Sequence, residues 1–280
     1  MVRSSCLCGD VAWETDGPLS WLHHCHCGRC RKFHGSGFAS YLMAPAKSVH
    51  FTRGQAGVAR YESSPGFSRA FCSRCGSPVP GDPFEEQLFL PVGPMDDDPG
   101  LRPEAHIFAG SKAPWVEIRD GLPASEGFPA GVPAPSHPDL ARPASDRVVR
   151  GSCLCGAVAY EARGEPLRAW SCHCSRCRKA RGAAHATNLF LPLDGFAFMR
   201  GEGALASFKV PEALRFTQVF CRTCGSALPR TDADRSVVVI PMGSIDGDPG
   251  VRPSRHIFVA SKAPWFEITD DLPQDAEVPA

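Results

Sequence analysis

Cys25-His26-Cys27-Gly28-Arg29-Cys30 recurs 147 positions later as Cys172-His173-Cys174-Ser175-Arg176-Cys177. Four further cysteines surround each copy: Cys6, Cys8, Cys72 and Cys75 for the first, Cys153, Cys155, Cys221 and Cys224 for the second. All 14 cysteines of the 280-residue chain therefore fall into two sets reading C-x-C, then C-x-C-x-x-C, then C-x-x-C. Seven thiols cannot all pair as disulfides within one set, but they divide into four and three. Four thiolates close a tetrahedral zinc site. Three leave one position open for water or substrate, as reactive zinc centres do.

The repetition extends beyond cysteine. The offset is 147 from Cys6 to Cys153 and from Cys30 to Cys177, 149 from Cys72 to Cys221, and 150 from Ser111 to Ser261. Ser5-Cys6-Leu7-Cys8-Gly9 matches Ser152-Cys153-Leu154-Cys155-Gly156, and Ser111-Lys112-Ala113-Pro114-Trp115 matches Ser261-Lys262-Ala263-Pro264-Trp265. His106-Ile107-Phe108 matches His256-Ile257-Phe258. Solenoid repeats run about 20–50 residues, so a period this long denotes a duplicated domain. The expected division is a first domain over 1–122, a Pro/Ala-rich linker over 123–147 and a second domain over 148–280. Pro123, Pro129, Pro133, Pro135, Pro138 and Pro143 mark the linker as an extended, semi-rigid segment without cysteine.

The formal net charge is zero. That balance argues against nucleic acid, whose binders present a basic face. No apolar run approaches the roughly 20 residues that span a bilayer, and Met1-Val2-Arg3-Ser4-Ser5 has no signal-peptide character. A cytoplasmic chain is expected, where thiols stay reduced and available to metal. Val11–Glu14, Phe38–Leu42, Val49–Thr52, Leu88–Val92, Val158–Glu161 and Val237–Ile240 read as strands between Gly and Pro punctuation. The fold class is mainly β, with compact antiparallel sheets and zinc knuckles at their ends. Short helices are expected around Arg29–Phe33 and Arg176–Ala180.

Spacing divides the cysteines. A C-x-x-C pair at a tight turn offers two thiolates to one ion, and Gly76 and Gly225 follow such pairs where the backbone must turn. Each joins the early C-x-C pair, giving Cys6, Cys8, Cys72, Cys75 and Cys153, Cys155, Cys221, Cys224 as closed metal sites. Two disulfides are the competing reading. Cys25, Cys27, Cys30 and Cys172, Cys174, Cys177 are close enough to grip one ion alone, leaving an open position. His26 or His173 closing that position is an alternative, although a residue flanked by two ligands tends to point away. His106 and His256 read as hydrogen-bonded or buried. Arg29, Arg31, Lys32 and Arg176, Arg178, Lys179 are either a solvated basic turn or cations that lower thiolate pKa and attract an anionic substrate.

Together these motifs resemble the glutathione-dependent formaldehyde-activating enzyme family, which also includes centromere protein V. The resemblance rests on Gly151 to Val158, on Cys172 to Lys179, on Phe220-Cys221-Arg222-Thr223-Cys224-Gly225-Ser226 and on Gly243-Ser244-Ile245-Asp246. It extends to His256-Ile257-Phe258, Ser261 to Trp265 and Asp270-Asp271-Leu272-Pro273. It implies two tandem β-tent zinc domains of packed sheets, with up to two zinc ions each: one structural in the four-cysteine site, one reactive in the three-cysteine site. The implied partners are a small thiol such as glutathione and a small aldehyde. The implied activity is that of a carbon–sulfur lyase forming S-(hydroxymethyl)glutathione. The first copy departs from the pattern at Gly93-Pro94-Met95-Asp96 and the second at Arg181-Gly182-Ala183-Ala184-His185, so each is expected to have drifted near its own site. The fused chain would mimic a homodimer of single-domain members.

The competing function is a non-catalytic zinc module that binds protein or nucleic acid. A zinc store or redox-sensing thiol cluster would leave the repeated non-cysteine text unexplained.

Overall fold

The computed structural model describes residues 1–129 and 148–279. It is mainly β in two repeated halves. In the first half Val2–Ser5, Ala12–Thr15 and Val49–Arg53 form an antiparallel three-stranded sheet. A five-stranded sheet runs in the order Ala124–Ser125, Ala105–Ile107, Ser20–Cys25, Ala39–Pro45, Gln87–Pro91. Val58–Ser64 and Phe67–Cys72 make a separate hairpin. The second half repeats all three units, its large sheet built from Arg230–Asp232, Val237–Pro241, Ala186–Pro192, Arg168–Cys172 and His256–Ile257.

The strands expected from alternation and β-branched content are present, shifted by up to three residues at their ends. So are the two short helices, α1 at Gly28–His34 and α2 at Ser175–Arg181. Each is started by a cysteine: the Cys27 sulfur accepts from the Cys30 N–H, and the Cys174 sulfur from the Cys177 N–H. A left-handed glycine, Gly35 or Gly182, stops each one after a last turn of basic residues.

The expected linker 123–147 opens with packed structure. Ala124–Ser125 pairs in parallel with Ala105–Ile107, and the Phe128 ring meets Phe108 edge-on at 5.1 Å. The tail of the second half does the same, with Gln274 bridged in parallel to His256. Residues 130–147 lie outside the described residues.

The halves are interlocked. Ala113, Trp115 and Val116 of the first pack into a core made by Val149, Val158, Tyr160, Leu189, Leu191 and Ile240 of the second. Reciprocally, Ala263 and Trp265 pack among Leu22, Leu42, Leu88, Leu90 and Met95 of the first. Gly76 has φ +73° and Gly225 φ +72°, and a Cβ on either would fall 2.5–2.6 Å from Phe220 or Phe71 of the opposite half. Glycine is required at both positions by conformation and by close approach. The two rings so covered meet at 6.3 Å in a T-shaped pair.

Polar contacts repeat the exchange. The Lys32 ammonium donates to the Ser152 carbonyl at 3.0 Å, to the Ser152 hydroxyl at 2.6 Å and to the Asp246 carboxylate. Lys179 donates to Ser5 Oγ and to Asp96, each at 2.5 Å. No helix among the described residues is long and apolar enough to cross a membrane.

Candidate functional site

All 14 cysteines are free thiols in the structure, which sets the disulfide reading aside. They gather in the four groups expected from spacing, the ligand atoms of each group lying within 4.8 Å of one another. A tetrahedron with Zn–S bonds of about 2.3 Å places its sulfurs about 3.8 Å apart. Sulfur pairs stand at 3.4 Å (Cys6 and Cys8, Cys153 and Cys155), 3.7 Å (Cys8 and Cys72), 3.8 Å (Cys155 and Cys221) and 3.6 Å (Cys172 and Cys174). The four-thiol groups also receive donors that favour ionised sulfur. The Val11 and Val158 N–H groups reach Cys6 and Cys153 at 3.3 Å, while the Cys75 and Cys224 thiols donate to Ser77 and Ser226 Oγ at 3.4 and 3.3 Å. Both donor sets fit a soft divalent cation.

The three-thiol groups sit where the end of a central strand meets a helix. Cys25 ends Ser20–Cys25 and Cys30 lies in α1; Cys172 and Cys177 occupy the same places in the second half. Among the described residues no histidine or carboxylate joins either triad. His26 and His173 point away, as expected of a flanked residue. His26 Nε2 meets His106 Nδ1 at 2.8 Å, and His106 Nε2 meets Asp120 at 2.8 Å. His173, His256 and Asp270 repeat the chain. The carboxylate fixes the direction: it accepts from His106 Nε2–H, so His106 Nδ1 accepts from His26 Nε2–H. Asp120 and Asp270 were recoverable from the repeat, since they stand 150 apart before Leu-Pro. These two chains border a cavity of about 370 Å³ between the halves. Burial lowers two histidines there, His26 to about 3 and His185 to about 3, and so keeps both neutral.

The basic turn divides by position. Lys32 and Lys179 serve the interface, reaching Ser152 with Asp246 and Ser5 with Asp96. Arg29 and Arg176 line the cavities over the triads. A second pair of arginines was not visible from spacing. In the first half Arg69, 7% exposed, hydrogen-bonds Cys30 and donates to Tyr41 Oη at 3.0 Å. His34 fixes this arrangement. Its Nδ1 donates to the Arg181 carbonyl, so Nε2 accepts the Tyr41 hydroxyl at 2.6 Å and leaves the Tyr41 oxygen to receive Arg69. In the second half the counterparts of Arg69, Tyr41 and His34 are Gln218, Asn188 and Arg181. Arg181 brings the buried cation from α2 instead, lining the cavity over Cys172, Cys174 and Cys177. Each triad thus has one buried guanidinium, supplied from a different element. Within the second triad, contacts from Cys172 and then Cys177 hold the Cys174 thiol down to about 3, while Cys172 and then Cys174 push Cys177 well above its usual range.

Of the two expected departures, Arg181 of the second copy lines the cavity over its triad, whereas Gly93-Pro94 of the first lies at the interface, as does its family-like counterpart Gly243-Ser244. A Cβ on Gly93 would meet Ala183 and Arg178 backbone at 2.4–2.5 Å, and one on Gly243 would meet Ser36 and Arg31 backbone at 2.3–2.5 Å. These turns are sockets for the opposite helix end. Their divergence belongs to the interface, not to the triads.

Two segments of the chain, residues 1–111 and 148–261, match the family described as glutathione-dependent formaldehyde-activating enzyme. The chain belongs to this family. The double match accords with tandem duplication. No curated protein matches the chain. A solved structure of a Rhodobacter sphaeroides protein, a Northeast Structural Genomics target, is 26% identical; the match covers 37% of this chain and 91% of that one, with a TM-score of 0.28.

Proposed function

We propose that the chain is a carbon–sulfur lyase joining a small thiol to a small aldehyde, glutathione and formaldehyde being the pair in the family's description. On this reading Cys25, Cys27, Cys30 and Cys172, Cys174, Cys177 are its reaction centres. The observation that carries it is the open triad: three sulfurs within 4.8 Å, at the floor of a cavity, without a fourth ligand among the described residues. Each half would hold up to two zinc ions, the closed four-thiol group serving the fold. Bound at a triad, zinc supplies Lewis acidity toward an incoming sulfur or carbonyl oxygen. The units would be 1–122 and 148–280, joined through 123–147, in a cytosol that keeps 14 thiols reduced.

The chain's own groups define the rest. Cys27 and Cys174 sulfurs accept backbone N–H groups at 3.4 Å, which favours their ionised form. Arg69 and Arg181 offset the negative charge that three thiolates and a divalent cation leave. Phe67, Phe89, Phe108 and Phe128 wall the first cavity and keep water from the reacting atoms. In the net reaction the thiol sulfur bonds the aldehyde carbon, the carbonyl π pair moves to oxygen, and the thiol proton ends there; nothing is oxidised or reduced. Confinement of both reactants supplies much of the rate.

The test uses zinc-replete protein with Cys27→Ser, Cys174→Ser and the double variant. Adduct formation above the spontaneous rate is expected to fall with each and vanish in the double variant. An intact protein that adds nothing to the spontaneous rate with glutathione and formaldehyde, or with other thiol and aldehyde pairs, overturns the reading.

A further inference from the structure

The two triads share a ligand set but open into unlike cavities. That over Cys25, Cys27 and Cys30 measures about 70 Å³ and is walled mainly by aromatic rings. That over Cys172, Cys174 and Cys177 measures about 410 Å³ and is lined by Arg168, Arg176, Arg181, Arg215, Arg230 and Arg235, with no carboxylate in the lining. Of these six only Arg176 has an arginine counterpart, Arg29. Arg168, Arg181 and Arg215 correspond to Trp21, His34 and Gly66, and the stretch 80–86 facing the last two contains no arginine.

Little within the protein neutralises this charge. Asp232 binds Arg235 at 2.6 Å and lies 3.7 Å from Arg230, one carboxylate for two guanidiniums. Arg181 is only 8% exposed, and its Nε and Nη1 have no hydrogen-bond partner. The Arg168 guanidinium is held 4.6 Å from both the Trp170 and Phe190 rings, with its buried Nε also unpartnered. Guanidiniums kept in fixed positions without partners are preorganised for carboxylate or phosphate oxygens. A metal-loaded triad brings a single net negative charge, too little to balance them.

We infer that the second cavity binds a thiol whose tail carries several anionic groups and no ammonium, while the first admits only small, weakly charged partners, so that the two halves have divided their substrates. Glutathione, which brings an ammonium with its two carboxylates, is then the poorer fit to the second cavity. The thiol end of this inference rests on the proposed lyase reading; the anion-binding end does not.

The experiment is calorimetric titration of zinc-replete full-length protein with four thiols: mercaptosuccinate, pantetheine 4′-phosphate, glutathione and 2-mercaptoethanol. Inorganic pyrophosphate serves as a probe without a thiol. Mercaptosuccinate or pantetheine phosphate is expected to bind more tightly than glutathione, and glutathione more tightly than mercaptoethanol; which of the first two leads tells carboxylate from phosphate. Arg168→Gln with Arg215→Gln, both at the cavity rim, is expected to weaken pyrophosphate and the leading thiol roughly tenfold or more and leave mercaptoethanol unchanged. Affinity for both mercaptosuccinate and pantetheine phosphate no greater than for mercaptoethanol, or unchanged pyrophosphate binding in the double variant, overturns the inference. Pyrophosphate binding that survives Cys174→Ser, in a protein that accelerates no adduct formation, supports the anion site while the lyase reading fails.

Discussion

Trp115 stands in the core of the second half and Trp265 in the core of the first. The Lys-Ala-Pro-Trp segment of each copy is therefore a structural part of the other, as in a swapped dimer. Trp115→Ala is expected to lower stability by roughly 3–5 kcal/mol. Amide exchange should accelerate most in Ala186–Pro192 and Val237–Pro241, across the interface from the mutated copy. Trp265→Ala should give the mirror result in Ala39–Pro45 and Gln87–Pro91. Faster exchange confined to the mutated residue's own half would refute the exchange of cores.

Lys32 crosses to Ser152 and Asp246, and its side chain keeps 10% of its exposure against 25% for Asp246. Removing the ammonium strands a carboxylate and the Ser152 carbonyl in a poorly hydrated place. Lys32→Met is expected to cost about 3 kcal/mol, the low end for breaking a buried pair because Asp246 retains some water. Adding Asp246→Leu should restore most of that loss, since an apolar pair leaves no stranded charge. Denaturant titration of the two variants decides it: a double variant no more stable than Lys32→Met alone would show that the charge pair itself is needed.

The cysteine partition was legible because metal ligands impose spacing on sequence, and the strands because alternation and glycine corners do. What escaped was everything the duplication changed. Lys32 and Lys179 lie beside triad cysteines in sequence but face the other half, since α1 and α2 turn them outward. Gly93-Pro94 resembled site drift but, like its counterpart Gly243-Ser244, is a socket for a helix end. The handover from Arg69 to Arg181 moves one charge between unrelated elements. None of these leaves a local pattern, because each depends on packing between distant segments.

Closed and open metal groups should respond differently to loss of a ligand. Native protein is expected to carry four zinc ions, one for each thiol group. Cys75→Ala and Cys224→Ala remove one ligand from a group whose binding energy, of order 10 kcal/mol in small zinc peptides, is tied to folding. Both should give insoluble or unfolded protein. Cys30→Ser and Cys177→Ser should stay folded by circular dichroism and each lose one ion by elemental analysis. Equal unfolding from both kinds of substitution would remove the distinction between structural and reactive groups.

Acid sensitivity should be traceable to single buried imidazoles. Burial, then repulsion from His256, lowers His185 to about 3 in the folded protein, and burial, then repulsion from Arg69, brings His34 to about 3. The unfolded value is about 6.5. Below pH 6.5 the unfolded chain takes up a proton that the folded chain refuses, so stability is full above that value and falls as pH drops toward 3. One such histidine accounts for ~2 kcal/mol of lost stability at pH 5. His185→Phe installs the residue found at the equivalent Phe38, 147 positions earlier. Relative to the intact protein, the variant should gain thermal stability at pH 5 that it does not gain at pH 8. Metal release in acid affects both proteins alike, so the difference between them isolates the imidazole. A difference that is the same at both pH values would mean that His185 is not the proton acceptor on unfolding.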